Sequence, residues 1–331
     1  MLTQTELSAL KKGSKVDHYL VLRKIETRKT KNGNDFLSIE IGDNSSTLVS
    51  NIWDNFDSII KKFKTGDVVK IIGTIDEFQG TPQLKINSIN PVPETENISA
   101  TDFLPKSARD KDEMVSEFKN RIEKISSPKL KELVSRIFND SNFRKFVNSP
   151  AGKSWHHAYV HGLIEHTLEI IKICDLMCDI HPEINRDLLI SGAMLHDFGK
   201  TEELSVYASF NYTDKGKLVG HIVISAMLIN EEAKNIQEFP DDMKNNLLHI
   251  VLSHQGKLEY ASPVVPKTLE AITLYQADEL SAKVNAYKSA ISDDKNSDSN
   301  WTKFLHLAST DLYKQNLAST SKDDISESLF E

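Results

Sequence analysis

Six polar residues interrupt apolar stretches in the second half of the chain. They lie in segments such as GLIEHTLEI, AMLHDFGK and VLSHQG, where most of the neighbouring residues are apolar. A buried imidazole or carboxylate without a partner costs several kcal/mol, so six such interruptions need a common explanation. The residues are His166, His196, Asp197, His221, His254 and Asp278.

The spacing of these residues favours a metal site. A single histidine on an apolar helix is more often a hydrogen-bonded core residue, but the His196–Asp197 doublet has a histidine 30 positions upstream and an aspartate 81 positions downstream. Neighbouring helical residues point about 100° apart, so the doublet can serve two ions with the aspartate bridging them. Imidazole and carboxylate ligands without thiolate suit Mn, Fe, Co, Ni or Zn.

A helical domain must hold these residues in place. From residue 113 onward, apolar residues recur every three to four positions, which predicts helices. The doublet itself follows a buried apolar run, LLISGAML. The predicted helices cover 156–180, 185–198, 217–236, 242–254, 265–288 and 301–318, with a polar loop at 292–300.

The first 93 residues predict a small β-barrel instead. Alternating apolar and polar positions indicate five strands, and a short helix between the third and fourth gives the order of an OB-fold. The strands are predicted at 16–30, 35–43, 47–53, 68–78 and 82–92, the helix at 54–63 and the last turn at Gln79–Gly80. The expected division is therefore a barrel at 1–93, a linker at 94–112, an all-α domain at 113–320 and a tail at 321–331.

The charge distribution permits nucleic-acid contact in the barrel. Residues 1–93 hold 13 Lys/Arg and 11 Asp/Glu, whereas the whole chain has a net charge of −8, which argues against coating nucleic acid by bulk charge. OB-folds bind single strands through a basic groove and exposed aromatic side chains. Phe36 and Trp53 could also belong to the barrel core. The candidate contacts are Arg28, Lys29, Lys31, Phe36 and Trp53.

Composition narrows the class of protein further. No apolar stretch approaches the roughly 20 residues that a membrane-spanning helix needs, and the start MLTQTELSALKKG lacks the apolar segment of a secretory signal. Two cysteines, Cys174 and Cys178, lie one helical turn apart and are expected to be thiols. We therefore expect a cytoplasmic protein with no membrane partner.

The candidate ligands resemble the H…HD…D signature of the HD-domain metal-dependent phosphohydrolases. The stretches HHAYVHGLIEHTLEI, LLISGAMLHDFGK, VLSHQGKLEYASPVVP and ADELSAKV are more closely similar to the YhaM-type 3′-to-5′ exoribonucleases. That family joins an N-terminal OB-fold to a C-terminal HD domain, and the resemblance covers nearly the whole chain. It implies Mn²⁺-dependent removal of nucleotides from the 3′ end of single-stranded RNA and, to some extent, DNA.

The resemblance also assigns roles by position. It implies a four-ligand core at His166, His196, Asp197 and Asp278, with His221 and His254 for a second ion. It places Lys200 near the substrate phosphate, where it would act in catalysis with Asp197. One position departs from the family's S-H-H-G motif, because this chain has Ser253-His254-Gln255-Gly256. Gln255 would bind substrate or water, which leaves the occupancy of the second ion open.

Three further histidines, His156, His157 and His161, lie shortly before His166. If the helix of His166 begins at 156, His157, His161 and Glu165 share one face at intervals of four. These histidines would either cap the helix and orient His166, or contact the substrate or the metal directly; we favour orientation of His166 or contact with the substrate phosphate.

Two other functions remain open at this point. The chain could be an HD phosphohydrolase of nucleotides or cyclic dinucleotides with a regulatory barrel, since the metal ligands set the chemistry and not the substrate. It could also be a nucleic-acid-binding protein whose HD site has decayed, for which Gln255 is the only indication. The amphipathic segment 300–319 could cover the site or form a subunit contact in a homo-oligomer.

Overall fold

The computed structural model of the chain describes residues 4–78, 80–96, 98–294 and 299–314. It divides into an N-terminal barrel and a C-terminal helical bundle, as predicted. Within the described residues, no helix combines the length and the apolar character that crossing a membrane requires.

The barrel is closed in the order β1-β2-β3-β5-β4. Its interior is filled by alternate residues of the strands, such as Leu37, Ile39 and Ile41 of the second strand, which are fully buried. This arrangement confirms the predicted OB-fold. Gln79 of the predicted last turn lies outside the described residues. The elements are β1 (Lys15–Lys29), β2 (Asp35–Gly42), β3 (Thr47–Ile52), α1 (Asp57–Lys62), β4 (Val68–Phe78) and β5 (Thr81–Pro91).

The helical bundle packs around one large apolar core. Its helix α6 (Arg186–Leu195) is buried along its whole apolar run, from Leu188 to Leu195. Two short strands, β6 (Leu204–Val206) and β7 (Phe210–Tyr212), form a hairpin that the sequence did not predict. The helices are α2 (Lys111–Glu123), α3 (Pro128–Ile137), α4 (Asp140–Asn148), α5 (Gly162–Ile180), α6 (Arg186–Leu195), α7 (Lys200–Glu203), α8 (Asp214–Val219), α9 (His221–Lys234), α10 (Asp241–Ser253) and α11 (Leu269–Asp293).

The predicted linker at 94–112 is packed against its neighbours. It contains two short 3₁₀ helices, and Phe103 and Leu104 are buried. Phe103 shares an apolar cluster with Val21 of β1 and with Ala208, at the tip of the β6–β7 hairpin. The linker and this hairpin therefore connect the barrel to the helical bundle.

Three of the predicted helices are interrupted or differ from the observed ones by four residues or more at an end. Residues 156–161 form a loop, because His157 and His161 have φ angles of 43° and 70°, which a right-handed helix cannot contain. The predicted helix at 217–236 is divided by Gly220, whose φ is 77°. The helix predicted at 265–288 runs from Leu269 to Asp293, so it extends into the predicted polar loop at 292–300.

The predicted helix at 301–318 is wrong over the described residues 301–314. This segment, here called the C-terminal hairpin, folds back on itself through bridges between Trp301 and Tyr313 and between Leu305 and Thr310. The Trp301 and Tyr313 rings pack edge to face, with their centroids 5.4 Å apart. These two rings therefore meet across the hairpin and not along one side of a helix. Residues 315–318 and the predicted tail at 321–331 lie outside the described residues.

Candidate metal centre

The six candidate ligands converge from five helices. His166 lies within α5 and Asp278 within α11, while His196 and Asp197 directly follow α6. The other two stand at helix ends, His221 as the first residue of α9 and His254 directly after α10. All are buried except His221, which is partly exposed. The apolar core of the bundle therefore fixes the positions of these polar groups.

The carboxylate of Asp197 lies at the centre of the cluster, and each of its oxygens faces a different pair of imidazoles. Oδ2 is 3.3 Å from Nε2 of His196 and 3.9 Å from Nε2 of His166. Oδ1 is 3.4 Å from Nε2 of His221 and 3.6 Å from Nε2 of His254. This is the arrangement expected of a carboxylate that bridges two ions.

The first pair of imidazoles has an additional carboxylate beside it. Asp278 Oδ1 lies 3.0 Å from Nε2 of His166. Lys200 places its ammonium group 2.6 Å from Oδ2 of Asp197 and is itself almost entirely buried. The centre thus combines four imidazoles and two carboxylates with one ammonium group at its edge.

Each of the four imidazoles presents the same nitrogen to the centre. His196 Nδ1 is 2.8 Å from the Ala193 carbonyl, and His254 Nδ1 is 2.7 Å from the Val251 carbonyl. A carbonyl oxygen only accepts hydrogen bonds, so both histidines carry their proton on Nδ1. Their Nε2 atoms therefore direct a lone pair towards Asp197, as metal ligands do.

The remaining two imidazoles are oriented by side chains. Nδ1 of His221 lies 3.0 Å from Oε1 of Glu203, a carboxylate acceptor. Nδ1 of His166 lies 3.0 Å from the Ser281 hydroxyl, which donates its own proton to Oε2 of Glu169 at 2.7 Å. The serine oxygen must then accept from His166, which fixes the same tautomer.

A divalent cation fits this donor set. Among the described residues, four buried polar atoms of the centre lack a geometrically acceptable hydrogen bond: Nε2 of His196, Nε2 of His221 and both oxygens of Asp197. An imidazole nitrogen that directs its lone pair at a carboxylate oxygen is repelled by that oxygen unless a cation lies between the two atoms. Nitrogen and oxygen donors without thiolate suit Mn, Fe, Co, Ni or Zn.

The electrostatics of the centre favour the protonation states that metal binding requires at three of the ligands, His166, His254 and Asp197. Burial lowers the pKa of His166 to about 4 and lowers that of His254 as well. Burial alone would raise the pKa of Asp197, but Lys200 holds it well below its ordinary range. Burial acts to lower the pKa of His196, but the carboxylates of Asp197 and Asp278 and the hydrogen bond to Ala193 together raise it. At neutral pH two imidazoles are thus neutral and the carboxylate is ionised, as metal binding requires.

The predicted nucleic-acid residues lie around the β1–β2 turn and directly after β3. Arg28 pairs with Phe36 in the register of β1 and β2, and the Phe36 ring stacks on Trp53 at 4.7 Å. Trp53 is 57% exposed, so its assignment to the barrel core is excluded. Lys29 and Lys31 are exposed as well. These residues, here called the barrel face, offer stacking surfaces and positive charge to solvent.

Known protein families match both the helical bundle and the barrel. Residues 163–283 match the family model of the HD domain, and residues 22–92 match that of an OB-fold nucleic acid binding domain. The 3′-5′ exoribonuclease YhaM of Bacillus subtilis (strain 168) is 33% identical over 281 residues, which is 84% of this chain and 88% of that protein. The YhaM of Bacillus velezensis is 32% identical over 274 residues, 82% of this chain and 86% of that protein. The chain belongs to the YhaM family.

Two carboxylates of this YhaM-family chain were missed by the sequence reasoning. Glu203 accepts hydrogen bonds from both the backbone and the ring of His221. Glu169 is linked to His166 through Ser281 and lies 3.2 Å from Nε2 of His157. Glu169 follows His166 by three positions in the apolar segment LEII. A carboxylate among apolar residues could therefore have been recognised from the sequence as a candidate for the centre. Glu203 follows two polar residues and has no comparable signal.

The histidines that precede α5 take two different positions. His157 is buried beside Glu169, and with His156 and His166 it forms a group whose potential ligand atoms lie within 4.8 Å of one another. His161 instead faces the Val147 carbonyl of α4, with Nδ1 at 2.7 Å. The structure therefore places His157 beside the centre. The ring of His161 instead contacts the backbone of α4.

Gln255 adjoins the second pair of imidazoles in this YhaM-family chain. Its amide nitrogen lies 3.3 Å from Nε2 of His254. A cavity of about 450 Å³ opens beside it and reaches Lys200, His254 and Asp278. The candidate metal centre is therefore accessible from a space large enough for a small ligand.

Proposed function

We propose that this chain is a metal-dependent 3′–5′ exoribonuclease, which hydrolyses single-stranded RNA, and to some extent single-stranded DNA, to nucleoside 5′-monophosphates. The observation that carries the proposal is the position of Asp197, whose two oxygens face two pairs of imidazoles with Lys200 beside them. The names of the relatives supply the substrate class.

The proposed ligand sets follow from the distances. His166, His196, Asp197 and Asp278 would hold the first ion, and Asp197, His221 and His254 the second. When bound, divalent ions polarise the phosphoryl group and lower the pKa of a water molecule. Mn²⁺ is the ion that we propose, on the family's implied preference and on the absence of thiolate from the two sets.

Lys200 would act on the phosphoryl group directly. Its ammonium group is held at the edge of the cavity by Asp197, and the charge of Asp197 raises its pKa despite burial. A fixed positive charge offsets the negative charge that develops on phosphoryl oxygens during hydrolysis. In the overall reaction water adds to phosphorus, the P–O3′ bond breaks, and the shortened strand leaves with a 3′-hydroxyl group.

The barrel face would hold the strand upstream of the bond that is cleaved. Stacking on an aromatic side chain contributes about 1–3 kcal/mol per base and does not depend on which base is bound. Trp53 and Phe36 provide such a surface next to Arg28. The proposed division is thus a barrel at 1–93 that binds the strand and a helical domain at 113–320 that hydrolyses it. A cytoplasmic location and a homo-oligomeric state stay predictions.

One assay tests this function against its two alternatives. The full chain is incubated with a 5′-labelled single-stranded RNA and Mn²⁺, with and without a chelator. A ladder of shortening products that the chelator abolishes supports the exoribonuclease. Intact RNA together with hydrolysis of added nucleotides or cyclic dinucleotides would support the phosphohydrolase, and retarded but intact RNA would support a binding protein.

A further inference from the structure

The cavity beside the metal centre has walls suited to a nucleotide. Aromatic side chains line it, among them Trp155, Tyr260 and Tyr275, whereas Lys200 and the ligands His254 and Asp278 lie at its inner end. Its volume of about 450 Å³ falls in the range of roughly 300–1,000 Å³ that small-molecule sites occupy. Aromatic faces next to a phosphate-binding end match the two parts of a nucleoside 5′-phosphate.

Tyr275 is the wall residue best placed for a base. It precedes Asp278 by three positions on α11, so the two side chains lie on the same face of the helix, one turn apart. Its ring is also held against the backbone of the loop that follows α10. A Cβ at Gly256 would lie 2.2 Å from the Tyr275 ring, and Gly256 has a φ of 75°. The glycine after Gln255 therefore allows the ring to pack directly against the turn that carries His254.

The C-terminal hairpin forms part of the wall of this cavity. Residues Leu307, Ala308 and Ser309 at its tip contribute to the lining. The hairpin is fixed to the end of α11, because Asp294 accepts a hydrogen bond from the Lys303 amide and pairs with the Lys314 ammonium group. We expect a wall at this place to limit the space beyond the metal centre to about one nucleotide.

We propose that this cavity holds the 3′-terminal nucleotide, with its base stacked on Tyr275 and its 5′-phosphate at Lys200. This inference rests on the proposed function and adds a specific site for the residue that is released. Stacking without hydrogen bonds to the base edge makes the site tolerant of all four bases. The released nucleoside 5′-monophosphate occupies the same site, so it binds to the enzyme as a product.

Binding of AMP to the full chain with Mn²⁺ tests the proposal without any RNA hydrolysis. Isothermal titration calorimetry compares the wild type with Tyr275→Ala and with Tyr275→Phe, which keeps the ring and removes the hydroxyl. We expect AMP to bind about tenfold more weakly to Tyr275→Ala and unchanged to Tyr275→Phe, since one stacked base has an effect of this size. Ribose 5-phosphate, which has no base, should bind equally to all three proteins.

Three results would overturn the proposal. They are an unchanged affinity of Tyr275→Ala for AMP, a parallel loss of ribose 5-phosphate binding, and no binding of AMP to the wild type. The RNA ladder assay tests the proposed function independently of the nucleotide site. Tyr275-dependent AMP binding without RNA degradation would refute the proposed function and leave the nucleotide site standing. RNA degradation by a wild type that binds AMP independently of Tyr275 would refute the site alone.

Discussion

The metal centre and the barrel face differ in how firmly their side chains are held. In the centre, His166, His196 and His254 are completely buried, and each Nδ1 has a fixed hydrogen-bond partner. On the barrel face, Trp53 is 57% exposed and is oriented by one stacking contact with Phe36. The first region is positioned by a packed core of helices, and the second by the register of neighbouring strands.

This difference corresponds to two chemical tasks. Metal-assisted hydrolysis depends on donor atoms placed within a few tenths of an ångström, which a close-packed interior provides. Binding a strand of varied sequence needs flat surfaces that many bases can use in turn. A substitution in the centre should therefore remove the reaction, whereas one on the barrel face should remove a single contact.

The largest effect is expected for Asp197→Asn. This change removes the carboxylate charge that faces both imidazole pairs and leaves the buried Lys200 ammonium group without its 2.6 Å partner. We expect RNA hydrolysis to fall by at least about 1,000-fold, because metal ions supply several kcal/mol of charge stabilisation. Thermal unfolding should stay cooperative. Asp179→Asn, an exposed position near the end of α5, is the matched control.

The outcome that contradicts this expectation is a variant that retains full activity. Activity could be lost because the metal ions no longer bind or because bound ions no longer support hydrolysis. Metal content, measured by atomic emission on the purified protein, distinguishes these two explanations. Loss of both ions and of activity supports Asp197 as the bridging ligand. Full hydrolysis with metal still bound would exclude that role.

A smaller effect is expected for Glu203→Ala. Glu203 accepts hydrogen bonds from the backbone and the ring of His221, so its removal frees the imidazole to rotate. Loss of such an orienting group weakens metal binding about 10- to 100-fold. Activity titrated with Mn²⁺ should require a correspondingly higher concentration and recover at saturation. Glu202→Ala, the more exposed neighbour that pairs with Lys215, should leave the titration unchanged.

Much of the fold and the composition of the centre could be predicted from the sequence. Period-2 alternation in segments such as DFLSIEIGD gave the strands of the barrel, and the position of each polar interruption gave the six residues that the helices bring together. The reason is physical, since a polar residue in a buried segment must find a partner. Their role as ligands stays a prediction.

Other features depend on contacts that no local pattern encodes. Apolar spacing in 301–314 suits a helix, but backbone hydrogen bonds from Thr302 to Leu312 and from Leu305 to Thr310 close a hairpin. The left-handed conformations of His157 and His161 start α5 six residues later than the periodicity suggests. The exposure of Trp53, which directly follows β3, likewise cannot be predicted from residue type alone.

A dependence of stability on pH is expected from the centre. The pKa of His166 is about 4 in the folded chain against an ordinary 6.5, and that of His254 is lowered too. Below pH 6.5 the unfolded chain binds more protons, so stability falls as the pH drops. The raised pKa of His196 offsets part of this loss. Without metal, we expect the free energy of unfolding to fall by on the order of 1 kcal/mol between pH 7 and pH 5.

Urea unfolding followed by the helical circular dichroism signal, in EDTA at pH 7, 6 and 5, measures this change. His306→Gln is the control, because His306 is exposed on the C-terminal hairpin. This substitution should not alter how the free energy of unfolding changes with pH. A free energy of unfolding that is constant or rises towards pH 5 would contradict the assignment of neutral, buried imidazoles to the centre.

The mildest effect is expected for Trp53→Ala on the barrel face. Its indole is exposed and stacks only on Phe36 among its described aromatic contacts, so the fold should tolerate the change. Affinity for a long single-stranded RNA, measured by fluorescence anisotropy, should fall about tenfold, whereas Trp53→Phe should keep most of it. Hydrolysis of a dinucleotide should not change, because so short a substrate can occupy the metal centre without the barrel. Equal losses on both substrates would show that the two regions do not act separately.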